Sequence, residues 1–242
     1  NIERAFKVRG ATAVALAINS PGGSPVQSAL IGERIRSLAA EKEIPVIAFV
    51  EDVGASGGYW LALAADEIFA DQSSILGSIG VISAGFGFVE AMEKLGVERR
   101  VYTAGEFKSI LDPFRPEDSD GIARLRKILD ESHTNFKAEV RERRGERLKG
   151  EDADLFEGQV WTGRPALDIG LIDGIGHLHG VLKERFGDDL KLPLVTRPKP
   201  WWQRRLRMGR AAPGVDMAEP RVWIDGALDS LEERARWARF GL

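Results

Sequence analysis

A glycine-flanked serine, a lysine downstream and a Pro-Gly-Gly turn upstream are the residues of this 242-residue chain whose types and spacing could do chemistry. Ser56 stands in Gly54-Ala55-Ser56-Gly57-Gly58, between two apolar runs. A serine on a glycine-rich strand-to-helix turn is a way to expose a nucleophile. Lys108 follows in Gly105-Glu106-Phe107-Lys108-Ser109. A neutral lysine amine is one of the few groups able to take the hydroxyl proton. Upstream, Asn19-Ser20-Pro21-Gly22-Gly23 is a turn that can aim backbone N–H groups at an oxyanion. The combination points to a serine hydrolase with a Ser–Lys dyad in place of Ser–His–Asp.

Each feature also has a plainer reading. Ser56 can simply cap the helix that follows it. Lys108 can be a solvated surface lysine, the usual state of that residue. Its flanks, Val101, Tyr102, Phe107, Ile110 and Leu111, are apolar and predict a partly buried amine instead. Burial disfavours the ammonium and lowers the lysine pKa, which a base acting near neutrality requires. The Pro21-Gly22-Gly23 turn can be a tight connection and no more. In the functional reading Gly23 N–H and Gly57 N–H converge on one carbonyl oxygen, which spacing alone leaves open. Ser78, in Leu76-Gly77-Ser78-Ile79-Gly80, either orients the lysine amine or satisfies a backbone group. The rival base is a histidine. His133, His177 and His179 read as packed or partly exposed side chains rather than as members of a triad.

The elements that must position these residues follow from hydrophobic patterning. Ala11–Asn19 is a continuous apolar run, predicting a strand buried on both faces. Ser24, Pro25 and Gln27 predict a helix start with a capping box, running to about Lys42 with Leu30, Ile31, Ile35 and Leu38 on one face. Pro45–Val50 is a second buried strand, followed by the Ser56 turn and a helix over Tyr59–Ala65. Glu67–Ala70, Ile79–Ile82 and Arg99–Tyr102 read as short strands, and Val89–Leu95 as a helix. Ser119–Arg144 is a long helix with Ile122, Leu125, Leu129 and Phe136 on one stripe. His179–Phe186 is a further helix and Leu192–Val195 an edge strand. Strands alternating with helices predict an α/β fold with parallel βαβ units.

Composition sets outer bounds. The chain is 43% hydrophobic and 29% charged, as soluble globular proteins are. A net charge of −3 gives no general argument for a nucleic-acid partner. The absence of cysteine excludes disulfides, thiolate nucleophiles and cysteine metal sites. No apolar run approaches the length of a membrane span. Asn1–Phe6 reads as a helix already under way, so an upstream segment, an anchor or a targeting sequence, is expected. Residues 1–196 form the expected catalytic domain. Residues 197–242 are set apart: a basic stretch, Arg197–Arg210, with Trp201-Trp202, a Pro/Gly linker at Ala211–Pro220, and an amphipathic helix at Arg221–Phe240. That tail is an oligomer contact, a solvated basic segment, or a membrane-surface patch.

Taken in order, Asn19–Gly23, Gly54–Tyr59, Gly77–Val81 and Gly105–Ser109 resemble the bacterial signal peptide peptidase A family of serine peptidases. The similarity covers roughly residues 1–190. It implies a fold like that of the Clp protease and the crotonases, with repeated ββα units and a mostly parallel sheet. It also implies Ser56 as nucleophile, Lys108 as general base, Ser78 as the lysine's hydrogen-bond partner, and Gly23 and Gly57 for the oxyanion hole. Members of that family are usually membrane-tethered, form ring-like oligomers and degrade signal-peptide remnants or other hydrophobic peptides. Such a member is a bacterial inner-membrane-associated enzyme, its catalytic part on the periplasmic face. The usual anchor and first strand are absent from this sequence, and the tail beyond Arg197 has no counterpart to carry over. No metal or organic cofactor is implied. Two other classes stay open: a crotonase-type acyl-CoA enzyme, which has no need of Ser56 or Lys108, and a catalytically silent membrane-associated scaffold.

Overall fold

The structure, a computed structural model, describes residues 1–105 and 107–195. The basic stretch, linker and helix expected beyond residue 197 lie outside the described residues. At the centre is β2 (Val46–Ala55), the longest strand. β1 (Val14–Ser20) runs parallel to it on one side. On the other side β2 has two neighbours in succession. Its first half pairs in parallel with β3 (Glu67–Ala70) and its second half with β4 (Ile75–Gly77). β5 (Val160–Thr162) adds to β4 antiparallel, and β6 (Gly174–Ile175) adds to β3 in parallel. The α/β class and the mostly parallel sheet are as the sequence predicts.

Burial explains why β2 is central. Val46, Ile47, Ala48, Phe49 and Val50 are each at most 4% exposed. Alternate side chains leave the strand on opposite faces. Val46, Ala48 and Val50 join the main core with Ile35 and Leu38 of α2 (Pro25–Lys42) and Tyr59, Trp60 and Ala62 of α3 (Gly57–Ala62). Ile47 and Phe49 face Leu182 of α8 (Leu178–Phe186). A strand covered on both faces has no polar side and reads as an unbroken apolar run. β1 was expected to be covered in the same way and is not. It starts three residues later than predicted, Val14 and Ile18 are buried, and Ala17 and Asn19 are exposed. Among the described residues β2 is its one strand partner, so its other edge is open.

α2 begins at Pro25 as its sequence requires, but the Ser24 side chain makes no capping bond, and the predicted box does not form. Its buried face is Ser28, Gly32, Ile35, Leu38 and Ala39, while Leu30 faces out. The small residues let α3 and the turn after it approach closely: a Cβ on Gly32 would touch the Ala64 methyl at 3.8 Å. The long helix α5 (Ser119–Arg144) is capped by Asp118, whose carboxylate accepts from Gly121 N–H at 2.7 Å. Only its C-terminal half is built into the core. Phe136 stacks on Trp60 at 4.5 Å, and Val140 is fully buried. Ile122, Leu125 and Leu129, predicted for the same stripe, are only half-covered.

The C-terminal end of α5 is fastened by charge. Arg143 donates to the Leu63 and Ala65 carbonyls at the end of α3, at 2.8 and 3.0 Å. Arg144, 3% exposed, forks onto Asp173 at 2.8 and 3.0 Å and also donates to the Gly170 carbonyl. Asp173 accepts from Ile68 N–H as well, tying the helix to β3. Burial pushes the Asp173 carboxyl up, but the hydrogen bond and charge of Arg144, the Ile68 N–H and Arg147 outweigh it and hold the group below its ordinary value.

Three predicted strands are absent. Ile79–Ile82, Arg99–Tyr102 and Leu192–Val195 are irregular, and the strand near the first of these is β4, a few residues earlier. A short strand exists only where a partner offers a ladder, and β2 offers one to residues 75–77. Residues 81–105 and 107–118, which include α4 (Val89–Leu95), lie mostly exposed as an arm on the surface. Phe88 stacks on Phe114 at 5.4 Å, and Arg99 covers the same ring while pairing with the buried Asp112 carboxylate at 3.0 Å. Ile82, Phe86, Leu95 and Tyr102 are each more than 70% exposed.

Candidate functional site

The carboxyl ends of β1, β2 and β4 come together, and each carries one of the segments singled out in the sequence. β2 ends at Ala55, so Ser56 begins the turn into α3. Its backbone is at φ +50° and ψ −122°, outside the regions that serine ordinarily occupies. A conformation of that kind costs on the order of 1–3 kcal/mol and persists only where its surroundings fix it. Two bonds do so here. Ser56 N–H donates to the Gly77 carbonyl at 2.8 Å, and the Ser56 carbonyl accepts from Trp60 N–H at 2.9 Å. The side chain is half-buried.

β1 delivers the Pro21-Gly22-Gly23 turn to the same place. A Cβ built on Gly22 would lie 3.1 Å from Ser56 Cβ and 3.4 Å from Ser56 Oγ. A Cβ on Gly57 would lie 3.1 Å from Gly23 N and 2.7 Å from Ser28 Oγ. A Cβ on Gly58 would lie 2.4 Å from the Ser20 carbonyl oxygen. No side chain fits at 57 or 58 without moving the turn, which is the physical reason for glycine there. Gly23 and Gly57 are thus neighbours, and neither N–H donates a hydrogen bond among the described residues. The Gly57 group is one of the donors that the first turn of a helix leaves without a partner.

Ser78 follows the carbonyl that holds Ser56 in place. Its φ is +51°, its N–H donates to Gln159 O at 2.6 Å, and its own carbonyl accepts from Gly80 N–H at 2.9 Å. The next carbonyl, of Ile79, is bonded to His133 Nε2 at 3.1 Å. This fixes the turn from α5 and gives His133 a structural task that its sequence context did not reveal. His177 and His179 lie at α8, with His177 3.3 Å from Asp71 and largely exposed.

Lys108 differs from its expectation. It sits on the surface arm and is exposed, with its N–H donated to the Gly105 carbonyl. The apolar flanks that predicted burial, Val101, Tyr102, Phe107 and Ile110, are themselves exposed. Apolar neighbours in sequence bury an amine only if enough packs on them; here Arg124 covers one face of the Phe107 ring and Leu111 is half-covered, but the lysine itself stays exposed. No hydrogen bond among the described residues joins Lys108 to Ser56 or Ser78. The structure thus brings together Ser56, Gly22, Gly23, Gly57 and Ser78, and leaves Lys108 on the arm.

Sequence reasoning passed over two side chains beside the site. Asn19 bridges β1 to β2 through both ends of its amide, to Asp52 Oδ2 at 2.6 Å and from Val53 N–H at 3.1 Å. Buried Ser74 holds the other side of β2 by donating to the Val50 carbonyl at 3.3 Å, and also to that of Glu51. The signal for Ser74 was its place three residues after Asp71 in a turn, where the hydroxyl accepts from Asp71 N–H.

The chain is 53% identical over 249 residues to the Na(+)/H(+) antiporter NhaA of Brucella melitensis, an alignment covering all of this chain and 33% of that protein. It is 34% identical over 170 residues to the chloroplastic serine protease SPPA of Arabidopsis thaliana, covering 69% of this chain and 24% of that one. It is 31% identical over 185 residues to protease 4 of Haemophilus influenzae, covering 72% and 28%. The chain therefore spans about a third of the length of the first curated relatives it matches. Among the described residues no helix is long and apolar enough to cross a membrane. The model of peptidase family S49 matches residues 39–186, well over half of the chain and including Ser56, Ser78 and Lys108, so this chain belongs to peptidase family S49.

Proposed function

We propose that this chain is a serine endopeptidase that hydrolyses hydrophobic peptides, such as signal-peptide remnants, through Ser56, Lys108 and an acyl-enzyme. The observation that carries the reading is the contact between the Gly22–Gly23 turn and the strained Ser56 turn, with two adjacent undonated N–H groups beside the hydroxyl. Ser56 Oγ attacks the peptide carbonyl carbon as its proton passes to the neutral Lys108 amine. The carbonyl oxygen becomes an oxyanion held by the N–H groups of Gly23 and Gly57. Lys108 returns the proton to the leaving amine, and water then hydrolyses the ester by the same route.

For this to occur the Lys108 amine must come within hydrogen-bond reach of Ser56, about 3 Å. Assembly supplies the means. Covering the exposed Phe86, Tyr102 and Phe107 of the arm against other copies of the chain removes water from around the amine, and desolvation favours its neutral form. Homo-oligomerisation, Ser78 as a hydrogen-bond partner of the amine, and work at the periplasmic face of a bacterial inner membrane all belong to this proposal.

The test is labelling by a serine-directed fluorophosphonate. Wild type is expected to be labelled and Ser56→Ala to be silent with its fold intact. Equal labelling of both, or of neither, sinks the reading and returns the acyl-CoA and scaffold alternatives.

A further inference from the structure

β1 and β2 do not keep step. Ile18 lies opposite Val50 and Ser20 opposite Gly54, so between those pairs one residue of β1, Asn19, faces three of β2: Glu51, Asp52 and Val53. The bulge falls where β2 changes its neighbour on the other side, from β3 at Val50 to β4 at Val53. Bulges re-aim the strand that carries them and are frequent beside active sites. Four residues beyond Asp52 is Ser56, and three beyond Asn19 is Gly22, which Ser56 touches.

What holds the bulge on the β1 side is one amide. Asn19 Nδ2 donates to Asp52 Oδ2 at 2.6 Å, and Asn19 Oδ1 accepts from Val53 N–H at 3.1 Å. Val53 is fully buried, so its N–H has no ready alternative in water. An exposed polar pair usually contributes little, but this pair also satisfies a buried backbone donor, which is costly to leave unpaired. A slip of one residue between the strands would move their ends by about 3.3 Å, far more than a hydroxyl and its oxyanion donors can tolerate.

We infer that Asn19 is a positioning residue: its side-chain amide fixes the offset between the strand that ends in the Gly22–Gly23 turn and the strand that ends in Ser56, and so sets the attacking hydroxyl against the N–H groups that receive the oxyanion. The inference rests on the reading of Ser56 as nucleophile. It assigns Asn19 no contact with substrate.

The chemistry of the pair gives a test by exchange. Asn19→Asp sets two carboxylates at hydrogen-bond distance, and their repulsion drives the side chain off both Asp52 and the Val53 N–H. Adding Asp52→Asn restores the bond with its direction reversed, because the amide introduced at 52 donates to the carboxylate introduced at 19. Fluorophosphonate labelling rates and thermal midpoints would be measured for wild type, Asn19→Asp, Asp52→Asn and the double variant. The expected result is a loss of labelling rate of about tenfold in Asn19→Asp, corresponding to about 1.4 kcal/mol, and recovery to within about twofold in the double variant. Labelling of Asn19→Asp at the wild-type rate, or a double variant as slow as the single one, overturns the inference. If Asn19→Asp does not fold, the double variant decides: it should fold and label within about twofold of wild type, and a slower double variant overturns the inference. A wild type that is never labelled refutes the nucleophile reading instead. Hydrogen exchange at the Val53 amide then tests the clasp by itself: slow in wild type and the double variant, fast in Asn19→Asp if the clasp is real, and equal in all if it is not.

Discussion

Gly58→Ala separates two effects that usually travel together. In a helix, alanine in place of glycine gains up to about 1 kcal/mol of stability. At Gly58 the added Cβ would lie 2.4 Å from the Ser20 carbonyl oxygen and 3.1 Å from Ser20 Cβ. Ordinary contact begins near 3.4 Å, so the overlap is about 1 Å. The obstacle is backbone at the end of β1, held opposite Gly54 in the sheet, and it cannot swing aside as a flexible side chain would. α3 or the Ser56 turn must therefore move by a comparable distance. Overpacking of this kind costs about 1–3 kcal/mol, which leaves a net loss of roughly 0–2 kcal/mol after the helix gain. For a chain of this size each kcal/mol shifts the melting temperature by about 2–4 °C. Activity should suffer more, because a displacement of about 1 Å at a reacting centre costs on the order of a hundredfold. Gly180→Ala is the control: it lies in α8 with no atom within 4 Å of the added methyl. It should raise the melting temperature by a few degrees and leave activity unchanged. Calorimetry and fluorophosphonate labelling, run on both variants, decide the matter. If Gly58→Ala gains stability like the control and labels at the wild-type rate, the close approach of Ser20 and Gly58 does not position the site.

Other expectations follow from the same structure. Lys108→Arg should lack peptidase activity despite its charge, since a guanidinium does not give up its proton to become a base; an active variant would reduce the role of Lys108 to fixed charge. Asp173→Asn should destabilise by about 3–5 kcal/mol, because it leaves the buried Arg144 guanidinium without its counter-charge. The Asp173 carboxyl is held low in the fold, so its contribution is full above the unfolded value near 4 and fades as pH falls through the folded one. Acid melts of wild type should show this loss and those of the variant should not; parallel curves would mean that the pair contributes nothing. Phe86→Asp combined with Tyr102→Asp, both on the exposed arm, should lower the mass measured by light scattering without changing the melting temperature of the monomer. An unchanged assembly would show that the arm is not the contact.

Much of this protein is written locally. Pro25 after the Gly22–Gly23 turn starts α2, the apolar run at Val46–Val50 can only be a strand covered on both faces, and Asp118 with a long amphipathic repeat makes α5. Gly57 and Gly58 announce the Ser56 turn because backbone packed that closely admits no side chain, and the requirement is visible as glycine. Other features have no local cause. β4 lies at Ile75–Gly77 and not at Ile79–Ile82 because β2 offers its ladder there, beyond the bulge, and the bulge itself is bridged by a bond between residues far apart in the chain, Asn19 and Asp52. The apolar residues around Lys108 read as cover for an amine. An apolar run carries no mark of whether its own chain or another surface will bury it, and here the chain leaves it outside. Arg144 and Asp173 look like two ordinary surface charges among many in the sequence. Only the meeting of α5 with β3 and the residues that follow α7 (Gly163–Asp168) makes them a buried pair. Local sequence fixes what each residue needs, a partner, a cover or a turn, and the tertiary structure decides which distant residue supplies it.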